Sequence, residues 1–403
     1  MFHDNDQAMS SIRTTDRVVE ISWFDDMSDG DTEFLGTRDV TRASTFEHCL
    51  EILQTAEQQG FKGALLPTAY DTGMDPLAFA LAAQTQTKII KPIVALRMGE
   101  IYPTTLSRQI ATLDKVSRGR FIINAISSNF PGQNISAKER YDRTGEVLEI
   151  LIQGWEQDKI EFNGQYYQVN LDAAPAKCPY SKRPLIYFGG ISPEAKDIAA
   201  RYADVFLMWP EKMEMMRETI EEVSALAASY GRVIDFGLRI HMIVRPTEKE
   251  ARDYSKKLLT KLDEQNARAL RDRHQDAVSY GVFRQDELRK EADSEGFIEP
   301  LVWSYVGKVF SGCGSALVGS GEQVTQKLSD YMDIGFRAFI HSGFPLIEES
   351  KYFGELVMPN LPVVSLGDYY KMKAALPFER DQFLHDSFGR LGYEFRGTEA
   401  GCL

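Results

Sequence analysis

An arginine and a histidine in one apolar run are the groups best placed to hold an anion. In Asp235–Val244 (DFGLRIHMIV), Arg239 and His241 fall on one face of a strand and Leu238, Ile240 and Met242 on the other, because strand side chains alternate. If the apolar face packs under helices, the basic pair points inward, where a charge without a partner is costly. Such a pair serves either an anionic ligand or a carboxylate in a structural salt bridge.

A second group with binding chemistry is Gly189-Gly190-Ile191-Ser192, between an apolar run (Pro184–Phe188) and Pro193-Glu194. Ser192 stands where a helix N-cap would, with Pro193 at the first helical position. A glycine turn opening a helix leaves free N–H groups at the positive end of the helix dipole, so it can hold a phosphate-bearing cofactor. An ordinary capped turn uses the same residues. His341 shares a face with Phe339 near the end of another run, either as a site residue or as a satisfied core histidine. Arg97, Asp25, Asp26, Ser127-Ser128-Asn129, Tyr141 and Trp209 all follow or adjoin apolar runs. GxSxG, HExxH and P-loop patterns are missing, so hydrolase and NTPase readings have no support. Cys49, Cys178, Cys313 and Cys402 show no metal-ligand spacing, and no metal site is expected.

These residues need a scaffold that brings strand ends together. Eight strands are expected near residues 18, 63, 89, 121, 184, 204, 236 and 337, with helices between most of them. The helices include Ser44–Gln59, Thr104–Val116, Ala137–Trp155, Ser192–Tyr202, Glu248–Leu262 and Glu322–Asp333. Alternating βα units of this number predict a (β/α)8 TIM barrel with insertions, spanning 18–362. An open doubly wound sheet is the alternative, but GxGxxG is missing after the first strand. Asn163-Gly164 between alternating runs predicts a hairpin insertion at 159–170. Residues 263–311 are too long for a βα connector and read as an inserted flap. A polar segment (1–17) precedes the barrel, and a tail (363–403) that wraps the body or a partner chain follows it.

The bulk numbers limit the partners. The chain has 403 residues, 43% of them hydrophobic, and a net charge of −13 without clustered Lys/Arg, which excludes a nucleic-acid surface. The N-terminus has no signal-peptide pattern and no apolar window approaches a membrane span, so a cytoplasmic protein is expected.

Several separated blocks, in order, carry a family resemblance: GFKGALLPT (60–68), VALRMG (94–99), TLDKVSRGRFIINAIS (112–127), PLIYFGGISPEA (184–195), ADVFLMWPE (203–211), FGLRIHMIVR (236–245), GCGSALVGSGEQV (312–324) and FIHSGFPLIEE (339–349). Over about 20–362 the chain resembles the luciferase-like flavin monooxygenases, specifically the alkanesulfonate monooxygenase branch. The resemblance implies a (β/α)8 barrel using reduced FMN (FMNH2) supplied by a separate NAD(P)H:flavin reductase. Oxygen adds to the flavin, and the peroxyflavin attacks a small organic substrate. In the sulfonate branch C–S cleavage yields an aldehyde and sulfite. By resemblance the FMN phosphate falls on Tyr141 and the Gly189–Ser192 turn, and the isoalloxazine on Ala95, Leu96 and Ser127. Arg239 would hold the substrate anion, His241 would handle a proton or orient the peroxide, Trp209 would contact substrate, and the flap would close over them. A homo-oligomer, dimer or tetramer, is expected.

The substrate end departs from the branch. Phe310 stands near the position of a usual Arg, with Lys308 two residues away, and Phe344 replaces the Tyr of SGYP. The branch's first-loop His and its Cys have no counterpart near Met27-Ser28 or at 71–73, and His341 stands where the branch is apolar. Phe310, His341 and Phe344 are therefore expected to mark an altered substrate site. Hydroxylation, ring opening or Baeyer–Villiger insertion on a non-sulfonate is the first alternative. A non-catalytic flavin-binding protein and a deazaflavin-dependent dehydrogenase are the others.

Overall fold

The computed structural model describes residues 12–375, apart from 69, 71–72, 264, 266, 268–270, 272–279 and 311. Eight parallel strands close on themselves. They are β1 (Glu20–Phe24), β2 (Gly63–Leu66), β3 (Lys91–Arg97), β4 (Ile122–Ile126), β7 (Leu185–Gly189), β8 (Val205–Met208), β9 (Asp235–Arg245) and β13 (Phe336–Ser342). They pair in that order, β9 joins both β8 and β13, and β13 returns to β1. This is a TIM barrel, and the open-sheet alternative is excluded.

Period-two alternation divides the strands. Trp23, Val94, Leu96, Ala125, Phe188, Phe206, Leu238, Ile240 and Phe339 join the core between strands and helices, while Ile93, Ile122, Tyr187, Val205, Ala338 and Ile340 form a separate inner cluster. The helices between strands are α1 (Phe46–Gln58), α2 (Pro76–Ala83), α3 (Pro103–Ser117), α4 (Ala137–Glu156), α5 (Pro193–Tyr202), α6 (Met213–Ser229), α7 (Glu248–Leu258), α8 (Tyr280–Lys290) and α9 (Gly321–Asp333), with α10 (Leu346–Leu356) after β13. The helix expected to run to Leu262 ends at Leu258. The expected hairpin is β5 (Lys159–Asn163) with β6 (Gln168–Asp172).

The largest departure from expectation lies between β9 and β13. Besides α8, this stretch forms β10 (Phe297–Glu299), β11 (Val302–Trp303) and β12 (Ala316–Ser320). Sequence reading missed β12, whose apolar run, Ala316-Leu317-Val318, is only three residues long and is flanked by glycine and serine. It is held by the overhang of β9, pairing in parallel with His241–Arg245 beyond the point where β8 stops at Leu238. Part of the expected flap, including 264, 266, 268–270, 272–279 and 311, lies outside the described residues.

The N-terminal end of the barrel is closed by structural contacts. Helix α11 (Leu366–Ala375) lies in the expected tail and seats Leu366 in the inner cluster, and the rest of the tail, 376–403, lies outside the described residues. Glu20 accepts from Tyr187 Oη at 2.6 Å and from the Leu366 N–H at 2.9 Å. Asp235 accepts from Thr14 Oγ1 at 2.6 Å, so part of the expected polar leader belongs to this closure. Catalysis in such barrels lies at the opposite, C-terminal end.

Candidate active site

Arg239 and His241 both lie on the inner face of β9, at the height where its neighbour changes from β8 to β12. Room there depends on Gly237, where a Cβ would come within 2.6 Å of a Leu207 methyl. Arg239 is 8% exposed. Its Nη2 donates to Ser342 Oγ at 2.8 Å, its Nη1 reaches the Ile340 carbonyl at 3.5 Å, and the guanidinium lies 4.7 Å from the Phe24 ring centre. No carboxylate among the described residues forms an ion pair with it, so the salt-bridge alternative finds no partner there. Burial lowers its pKa, while Cys313 and then Asp26 favour the charged form.

His241 is equally buried, but both its nitrogens are engaged. Nε2 lies 3.0 Å from the Cys313 carbonyl and Nδ1 lies 2.6 Å from Ser342 Oγ. Burial, and next the Arg239 charge, hold its pKa well below the usual histidine value. In this arrangement the imidazole is held neutral with both ring nitrogens hydrogen-bonded. Its ring stacks on Phe344 at 5.1 Å between centroids, and Phe344 stacks on Phe310 at 5.5 Å. The two phenylalanines singled out as departures therefore stand beside the basic pair.

The expected location of His341 is corrected. It is fully buried on the outer face of β13, against Phe339 (5.6 Å) and Phe353 of α10 (4.9 Å), and cannot touch a ligand inside the barrel. Its inner-face neighbour Ser342 was overlooked. The same alternation that sends Phe339 and His341 outward turns Ser342 inward, where it meets Arg239 and His241. Cys313 was overlooked as well: its Sγ donates to the Arg239 carbonyl at 3.0 Å while its own carbonyl faces His241. Asp25 is also buried outside the barrel interior, near Cys49, and burial pushes its carboxyl pKa well up.

Across the barrel mouth, β3, β4 and β7 end in a second cluster. Ser192 caps α5, accepting from the Ala195 N–H at 3.2 Å, and Pro193 is the first helical residue. Gly190 has φ +144°, and a Cβ there would lie 2.7 Å from the Ala195 methyl and 3.7 Å from Tyr141 Oη. The turn is thus a tight cradle with the Tyr141 hydroxyl at its side, and Gly189 is exposed above it. Ala95 faces inward beside Asn124, and Ser127 Oγ is buried without a hydrogen-bond partner among the described residues. Leu96 departs from expectation, since its side chain packs into the outer core and leaves only its backbone toward the interior. An anion cradle at a helix N-terminus with an orphaned hydroxyl nearby fits a phosphorylated, flat heterocycle such as FMN.

Trp209 follows β8 between the two clusters. Gly281 of α8 and Gly312 pack against its indole, where added Cβ atoms would lie 2.8 and 3.4 Å away. Gln285 of α8 donates to the Pro210 carbonyl at 2.8 Å, so the inserted segment covers this side of the mouth. Arg97 also faces inward, bonded to Ser128 Oγ at 2.8 Å and to Glu100 at 3.1 Å. Among the described residues no metal-ligand cluster occurs, and no helix is long and apolar enough to cross a membrane.

Comparison with known proteins adds to this geometry. The family model for luciferase-like monooxygenases matches residues 32–338. A sulfoquinovose monooxygenase of Novosphingobium aromaticivorans is 43% identical over 349 residues, covering 85% of this chain and 96% of that protein. A sulfoquinovose monooxygenase of Agrobacterium fabrum is 42% identical over 356 residues, covering 88% and 92%. Among solved structures, the oxygenating constituent of 3,6-diketocamphane monooxygenase from Pseudomonas putida, in complex with FMN, has a TM-score of 0.62 at 17% identity, covering 86% of this chain and 99% of that one.

Proposed function

Because the chain belongs to the luciferase-like monooxygenase family, and is thus an oxidoreductase, we propose that it uses reduced FMN and O2 to desulfonate a sulfonated hexose, sulfoquinovose or a close analogue. The observation that carries this reading is Arg239, a buried guanidinium aimed into the barrel with no carboxylate partner among the described residues. A sulfonate supplies the missing negative charge, and its oxygens match the planar donors of arginine. The identity to two sulfoquinovose monooxygenases supports the sugar. The FMN-bound neighbour and the Gly190–Ser192 cradle support the cofactor.

In this account the α5 N-terminus and Tyr141 hold the FMN phosphate, and Ala95 and Ser127 border its ring system. Reduced FMN supplies the two electrons that, with two from the substrate carbon, reduce O2. The C–S bond breaks, the carbon becomes an aldehyde, and hydrogen sulfite and water leave. Arg239 binds the sulfonate and stabilises the charge that collects on sulfite oxygen. Phe310, Phe344 and Trp209 exclude water around the reacting carbon. The reduced flavin comes from a separate NAD(P)H:flavin reductase, and the enzyme works in the cytoplasm as a homo-oligomer. The stacked Phe310 and Phe344 favour a second reading, the same flavin and oxygen chemistry turned to hydroxylation, ring opening or Baeyer–Villiger insertion on a less polar non-sulfonate.

Gly190→Ala tests the cradle. The added methyl has no space and the backbone angle is strained for any L side chain, so FMN affinity should fall at least about tenfold, the effect of one lost charge-assisted contact. Titration of flavin fluorescence reads this, and unchanged affinity would remove the phosphate from this turn. Peroxide leakage tests the substrate. With FMNH2 and air, sulfoquinovose should suppress hydrogen peroxide release, whereas glucose and linear alkanesulfonates should not. Better suppression by either of those would overturn the sugar-sulfonate assignment.

A further inference from the structure

We propose that Ser342 is a positioning residue that locks Arg239 and His241 into one hydrogen-bonded unit, an inference that rests on the reading of this cluster as the sulfonate side of the site. Arginine can only donate, so Ser342 Oγ accepts from Arg239 Nη2 over 2.8 Å. The Cys313 carbonyl can only accept, so the proton of a neutral His241 sits on Nε2, 3.0 Å away. Nδ1 is then an acceptor, and the Ser342 hydroxyl donates to it over 2.6 Å. Donation runs in one direction through the unit: guanidinium to hydroxyl to imidazole to carbonyl.

The reverse arrangement, a cationic imidazole, would set a second positive charge against the hydroxyl that already receives the guanidinium. Of the groups facing His241, the Arg239 charge on its own strand, His341 from the far side of β13 and burial against the Phe344 and Phe310 rings oppose that, and only the Cys313 carbonyl ahead of β12 favours it. Of the two basic residues Asp26 acts on Arg239 and not on His241, and among the described residues neither has an ion-pair partner. The placement is a consequence of the barrel. Ser342 and His241 are register partners on neighbouring parallel strands, as are Ile340 and Arg239, so the serine reaches both basic residues from one inner-face position. Cys313 fixes the other side through its thiol and carbonyl. Without the hydroxyl, Arg239 loses its only side-chain acceptor among the described residues and the imidazole is free to change tautomer.

Two measurements test this. Ser342→Ala should lower kcat/KM for sulfoquinovose on the order of 10²-fold, the size expected when a binding group is displaced by about an ångström. The loss should lie chiefly in kcat, with FMN affinity within about twofold of wild type, and Ser342→Thr should recover most of it because the hydroxyl returns. In histidine-15N-labelled wild type without substrate, the imidazole assigned through His241→Gln should be the Nε2–H tautomer, with Nδ1 unprotonated at neutral pH. In Ser342→Ala that Nδ1 resonance should move as its donor disappears. Wild-type kinetics in Ser342→Ala, or an Nδ1–H or cationic imidazole in the wild type, would overturn the proposal. The tautomer needs no substrate to be read, so the expected tautomer together with no sulfite from any sulfonate would support the locked unit and remove only the substrate assignment.

Discussion

Arg239→Ala should abolish coupled turnover, with kcat/KM falling on the order of 10³-fold, the scale seen when a preorganised group that stabilises developing charge is removed. The side chain is buried, faces the barrel interior and rests on the Phe24 ring and neutral acceptors. Apart from the field of Asp26, no negative charge among the described residues compensates it, and in this account the substrate anion does so. Removing it also removes a desolvation penalty, and the fold should lose little stability. Arg239→Lys keeps the charge but not the planar pair of donors, and should recover only part of the activity. Steady-state kinetics with sulfoquinovose, beside an FMN titration, separates the outcomes. Retention of more than about a tenth of wild-type kcat/KM would remove Arg239 from the chemistry.

The second large effect is on stability. Glu349→Ala should destabilise the protein by about 3–5 kcal/mol, the cost of breaking a buried ion pair from one side. Glu349 of α10 accepts from Arg245 Nη2 at 2.6 Å and from Nη1 at 3.0 Å, and their side chains are 1% and 8% exposed. The Arg245 guanidinium is also packed between the Tyr254 and Tyr352 rings at 3.8 and 4.1 Å, so it cannot swing out to water when its partner goes. The pair ties the end of β9 to the helix that follows β13, bracketing the turn that carries Phe344. The double variant Arg245→Met/Glu349→Leu should regain most of the loss, because it leaves no buried charge. Urea unfolding at neutral pH checks both, and a loss under about 1 kcal/mol for Glu349→Ala would mean that the pair is solvated.

The contrast between these two arginines shows what sequence could and could not reveal. Alternation in DFGLRIHMIV separated Arg239 and His241 from Leu238, Ile240 and Met242, and the apolar set correctly marked the outer face. In FRAFIHS the same rule grouped Phe339 with His341 but could not say which group faced inward. Ala338 and Ile340 line the barrel, Phe339 packs under helices, and both sets are apolar. The polar residue His341 was therefore drawn to the site, and Ser342 was passed over. The Gly190–Ser192 turn was legible because capping is local, set by residues adjacent in sequence. Strand β12 was not, because its short apolar run between glycines and serines is a strand only where β9 outlasts β8, a property of another part of the chain. Cys313 and its two contacts follow from that pairing and were hidden with it.

The most direct test of the account is sulfite release from sulfoquinovose by the wild-type protein supplied with a flavin reductase, FMN, NADH and air. The account predicts one sulfite per sulfoquinovose consumed, dependent on both reduced FMN and O2 and well above the background of free reduced flavin. Oxygen uptake that ends entirely in hydrogen peroxide, with sulfoquinovose recovered intact and no sulfite formed, would contradict it.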